Sequence, residues 1–228
     1  DEIQAAAEAA EKACVVTMVG CHLRMMPGFV KLKRLINEGA IGPVHTAHLS
    51  VGQWLPEWRP GRDYRETYSA KREQGGGVLL DLVHELDMAR NLFGEFTSVT
   101  ARAGTSGALD IDTEDHADVI LERDGLSVNV HLDYLDKASH RTGHIIGENG
   151  TLTYDVLNGS INQYAPENKT WDDLYEEDDF DSGDTLKRAM AHFMDCVERG
   201  VPSEQPLMEG VRSLMLSENA RRSAGLVS

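Results

Sequence analysis

Between residues 96 and 164 the apolar and β-branched residues recur at every second position, and that period restricts the chain more than any other feature. The runs fall near 96–103, 116–123, 126–135, 142–147, 151–156 and 160–164. Asp124-Gly125, Asn149-Gly150 and Asn158-Gly159 stand between several of them, and such pairs accept the positive φ that a tight hairpin turn demands. The pattern predicts an antiparallel sheet with an apolar face to cover and a polar face.

Helical spacing supplies the cover. A stripe of Leu79, Leu80, Val83, Leu86, Ala89 and Leu92 predicts a helix over 78–93, opened by Gly75-Gly76-Gly77 and stopped by Gly94. Val30, Leu32, Leu35 and Ile36 predict another over 29–38, with Pro27-Gly28 at its start and Gly39 at its end. Amphipathic helices are expected over 185–199 and 207–224, a strand over 44–51, and an acidic solvated loop over 167–184. Residues 2–13 read as an Ala/Glu-rich helix feeding a buried strand at 15–19, the form of the last αβ unit of a doubly wound sheet. Residues 55–77 have no clean period and predict a long functional loop. The fold class expected is α+β, an open and mostly antiparallel sheet with helices on one face.

Charge and cysteine content limit the partners. Lys and Arg number 22 against 38 Asp and Glu, a net charge of −16 that disfavours nucleic acid and anionic membrane surfaces and leaves small molecules. The three cysteines, Cys14, Cys21 and Cys196, form no CxxC pair and suit buried thiols in a reducing, cytoplasmic setting. The apolar run 14–21 is far shorter than the roughly 20 residues that cross a bilayer, and acidic residues precede it in place of a basic export signal.

The densest reactive cluster is Asp81, His84, Glu85 and Asp87 within the apolar 78–93 stretch. Asp81 and His84 lie three apart and share a helix face, an arrangement that suits proton transfer and equally suits a satisfied polar pair. A metal site is disfavoured, because the second histidine of an HExxH pattern is replaced by Met88. Gly20-Cys21-His22-Leu23-Arg24 follows the first expected strand, where ligands of open α/β sheets collect; Arg24 reads either as a ligand fork or as a surface ion pair. Trp54, Trp58, Arg59, Arg62, Asp63 and Tyr64 in the long loop combine flat rings with fixed donors, as a sugar or nucleotide site does, or pin the loop to itself. The other histidines show no ligand spacing. Neither GxGxxG nor GxxxxGK[ST] occurs.

Three segments taken together carry a resemblance: 19–27 (VGCHLRMMP), 35–44 (LINEGAIGPV) and 75–87 (GGGVLLDLVHELD), followed by 145–152 (IIGENGTL). In order and spacing, over nearly the whole chain, they resemble the glucose-fructose oxidoreductase, inositol dehydrogenase and rhizopine-catabolism family, Gfo/Idh/MocA. The resemblance implies an N-terminal Rossmann domain for NAD or NADP, of which residues 1–20 would be a remnant. Residues 21–228 would then be the substrate-binding and oligomerisation domain. It implies His84 and Asp81 as catalytic residues, with His84 exchanging the proton of a substrate hydroxyl and Asp81 orienting it. His22, Arg24, Trp58, Arg62, Tyr64 and Asp87 would contact substrate, and Gly20 and Arg24 the cofactor. The family's common DxxxH is DxxH here, one residue and about 100° of helix shorter. The activity implied is NAD(P)-dependent oxidation of a sugar, polyol or nucleotide-sugar hydroxyl by a homo-oligomer. An NAD-dependent glycoside hydrolase and a non-catalytic sugar-binding or dimerisation module are the alternatives.

Overall fold

A computed structural model of the chain describes residues 2–174 and 184–227. It contains eight strands: β1 (Val44–Gly52), β2 (Ser98–Gly104), β3 (His116–Arg123), β4 (Leu126–Asp133), β5 (His140–Gly147), β6 (Gly150–Asp155), β7 (Ser160–Ala165) and β8 (Thr170–Asp173). They form one sheet in the order β2-β3-β4-β1-β5-β6-β7-β8. β1 sits in the middle, parallel to β4 and antiparallel to β5, and joins two antiparallel meanders. The hairpin chemistry acts as expected at Asp124 (φ 43°) and Gly125 (φ 83°), which turn β3 into β4.

Alternation along the strands separates the two faces. Ala47, Leu49, Val51, Val119, Leu121, Val128, Val130, Leu132, Ile145 and Leu152 are buried beneath helices. His48, Ser50, Asn129, His144 and Thr153 point the other way, toward a face that none of the described helices covers. The helices are α1 (Glu2–Lys12), α2 (Pro27–Asn37), α3 (Val78–Asp81), α4 (Val83–Phe93), α5 (Thr185–Arg199) and α6 (Leu207–Ser223). α4 lies over the central β1 and β4, α6 over β2 and α2 against β7. α1 packs on α6, and α5 on the short helical turn His22–Met25. None of the described helices is long and apolar enough to cross a membrane.

Four expectations change. The helix expected over 78–93 breaks at Leu82 (φ −97°, ψ 27°), with no glycine or proline to announce it. Residues 15–19 form no strand. They have no ladder partner among the described residues, and the 203–207 segment takes up their polar groups: Val19 N–H donates to Gln205 O at 2.8 Å and Ser203 Oγ to Thr17 O at 2.7 Å. Part of the acidic 167–184 stretch is the edge strand β8, whose Trp171 ring lies 5.3 Å from that of Tyr164; exposed carboxylates are tolerated on such an edge. Residues 175–183 of that stretch lie outside the described residues. Finally, Cys14 is exposed, whereas Cys21 and Cys196 are buried.

The triple glycine earns its place sterically. A Cβ at Gly76 would collide with the backbone carbonyls of Tyr68 and Ser69, and Gly77 (φ 104°) is backed by the Glu114 carboxylate, which accepts from Leu79 N–H at 3.2 Å. These two positions press the long loop against the start of α3. Gly76→Ala is expected to destabilise the fold by about 3 kcal/mol, a Tm drop of roughly 6–12 °C. Calorimetric melting checks this, and a loss under about 1 kcal/mol would mean that the loop is free to move away.

Candidate active site

The Asp81 carboxylate, at the last residue of α3, is held from two directions. Tyr68 Oη donates to Oδ1 at 2.8 Å and Tyr134 Oη to Oδ2 at 3.0 Å. Tyr68 comes from the long loop and Tyr134 from the residue after β4, so one side chain fastens three separate segments. Tyr134 is fully buried; burial first, and Asp81 next, hold its hydroxyl well above the ordinary phenol range and keep it a donor. The Trp58 ring stands edge-on to Tyr134 at 5.3 Å, and its buried Nε1 has no hydrogen-bond partner among the described residues.

His84 follows on the first turn of α4. Burial, with smaller contributions from His22 and Arg141, pushes its pKa down to about 4, against the weaker pull of Asp87 and Asp81. The ring is therefore neutral at pH 7 and able to accept a proton. His22 meets it edge-on at 4.8 Å, and the His84 Nδ1 is buried without a hydrogen-bond partner among the described residues. Among the described residues no hydrogen bond joins Asp81 to His84, so Asp81 acts on the ring through charge and not by holding a tautomer. Glu85, also buried, pairs with Arg141 of β5 at 2.6 Å while its Oε2 has no hydrogen-bond partner among the described residues, and burial raises its pKa.

The remaining expected residues divide. Arg24 is no free fork: Nε and Nη2 bind Asp87 at 2.8 and 2.6 Å, and Nη1 binds Glu209 at 3.1 Å. Ser213 Oγ donates to the same Asp87, and Arg90 joins through Ser213 at 2.7 Å. With side chains 9% and 2% exposed, Arg24 and Asp87 are a buried structural pair, and the ion-pair reading replaces ligand contact. Gly20 borders open space. Tyr64 turns to the 106–115 loop, where its hydroxyl accepts from Asp110 N–H at 3.2 Å. Arg62 lines a concavity with Arg59 and Tyr68. On the outer sheet face His131 lies between Asp133 and Asp118, whose hydrogen bonds raise its pKa to about 9. His116 and His140 each pair with an aspartate there. Tyr68 and Tyr134 as partners of Asp81 were not foreseen, and no spacing could reveal them, since the three residues meet only in the folded chain.

Residues 29–153 match the family described as GFO/IDH/MocA C-terminal domain. The 2,7-anhydro-N-acetylneuraminate hydratase of Escherichia coli is 29% identical over 97 residues, 42% of this chain and 25% of that protein. The levoglucosan dehydrogenase of Pseudarthrobacter phenanthrenivorans is 32% identical over 107 residues, 46% of this chain and 27% of that protein. Each alignment thus spans about a quarter of the curated relative. A solved levoglucosan dehydrogenase in complex with NADH and levoglucosan superposes with a TM-score of 0.85 at 19% identity, covering 100% of this chain and 69% of that one. The shared architecture and the profile match over more than half of the sequence agree: the chain belongs to the GFO/IDH/MocA family.

Proposed function

We propose that this chain carries the substrate side of an NAD- or NADP-dependent dehydrogenase that oxidises a hydroxyl of a sugar, polyol or nucleotide sugar. The observation that carries the reading is His84: a neutral, largely buried imidazole with an unpaired ring nitrogen, beside a carboxylate fixed by two phenols. Two of the relatives are named for sugar substrates, levoglucosan and an anhydro-neuraminate, which supports the substrate class.

Removing hydride from an alcohol carbon requires the hydroxyl proton to leave in step. His84 takes that proton onto its neutral ring, and the charges of Asp87 and Asp81 offset part of the burial that disfavours the imidazolium. Tyr68 and Tyr134 keep the Asp81 oxygens from rotating, so that the charge stays where the imidazolium develops. Trp58 packs edge-on against the Tyr134 ring that holds Asp81. The cofactor, NAD or NADP, belongs to the proposal for the whole protein.

His84→Ala in the whole protein is expected to lower kcat by roughly 10² to 10⁴ with little change in cofactor affinity, read as reduced cofactor accumulating with product. A single-turnover rate within threefold of the parent, with folding confirmed, would remove His84 from the chemistry. Self-association belongs to the same proposal, through the sheet face that the helices leave uncovered, where Ile120 is exposed among polar residues. Light scattering should give a dimer or larger species at micromolar concentration; a strict monomer at high micromolar concentration would contradict this.

A further inference from the structure

Beside Tyr68 the long loop encloses a concavity of about 560 Å³ lined by Arg59, Gly61, Arg62, Asp63, Glu66, Thr67, Tyr68 and Gln74, within the size range of small-molecule sites. Several arginines elsewhere, such as Arg24, Arg65, Arg90, Arg141, Arg199, Arg212 and Arg221, pair with carboxylates, as the excess of acidic residues makes easy. No carboxylate of the described residues lies within ion-pair distance of Arg59 or Arg62. Asp63, the nearest in sequence, is taken by Arg65 at 2.9 Å and caps its own turn, which leaves two guanidiniums against Glu66.

Arg59 is also preorganised. Its guanidinium lies over the Tyr68 ring, 4.8 Å from the centroid, with Nη1 3.5 Å from Ser69 Oγ. The same Tyr68 donates its hydroxyl to Asp81 at 2.8 Å. One phenol ring therefore stands between a fixed cation on its face and, at its hydroxyl, the carboxylate beside His84. We infer that the substrate carries an anionic group, carboxylate or phosphate, bound by Arg59 and Arg62 while its reacting hydroxyl faces His84 and Asp81. The inference rests on the reading of Asp81 and His84 as a hydroxyl-oxidising site. Guanidinium pairs bind carboxylates and phosphates in a planar fork, so both groups fit the same two residues.

The test is calorimetric titration of the full chain with D-glucose, D-glucuronate and D-glucose 6-phosphate. At least one anionic sugar is expected to bind about tenfold or more tightly than glucose, and the better of the two identifies carboxylate or phosphate. In the Arg59→Gln/Arg62→Gln double variant that ratio should fall to near one. Arg62→Gln alone, at an exposed position, should already reduce the ratio several-fold and serves if loss of Arg59 loosens the loop. Equal affinities for the three sugars, or a preference that survives in the double variant, would overturn the inference and leave the sugar-dehydrogenase reading standing. Binding of none of the three would overturn both.

Discussion

A single carboxylate held between two phenols fastens the site together. Asp81 receives Tyr68 from the long loop and Tyr134 from the end of β4, and it sits where the helix breaks at Leu82. The loop reaches that position only because Gly76 and Gly77 allow backbone and the Glu114 carboxylate to approach without a Cβ between them. Each element alone is weakly determined: α3 is one turn long, and the loop is a succession of short 3₁₀ turns. Their mutual hydrogen bonds fix what local propensity leaves open.

A second constraint lies beneath. Arg24, Asp87, Arg90, Ser213 and Glu209 form a buried polar network that ties the His22–Met25 turn and α4 to α6. Removing one partner would leave a buried charge uncompensated, so the network sets the position of α4 more than it adds net stability. Because Arg24 faces inward to Asp87, His22 two residues earlier is brought edge-on to His84. The network thus positions the reactive ring without touching it.

The sheet was legible in the sequence because period two and Asn-Gly or Asp-Gly turns are local signals, as at Asp124-Gly125. The acidic edge strand β8 was not, since its four residues carry no apolar alternation and owe their order to β7. The reactive cluster was visible as charged residues inside an apolar stripe, but their roles were not. Spacing placed Asp81 and His84 on one helical face, whereas the break at Leu82 and the two tyrosines, 13 and 53 residues away, give Asp81 its own partners. Arg24 shows the same limit: a guanidinium at the end of an apolar run reads alike whether it meets a ligand or, as here, the distant Asp87 and Glu209.

The account depends most on His84 being a neutral base held by burial, and NMR titration of its ring resonances in the folded chain tests this directly. A histidine whose native pKa is depressed binds fewer protons folded than unfolded, so its contribution to stability is intact above about 6.5 and is lost as pH falls toward about 4. The account predicts a midpoint near 4, with a neutral ring throughout the physiological range. A midpoint at or above the ordinary value of about 6.5 would show the ring open to water or paired with a carboxylate, and would contradict it.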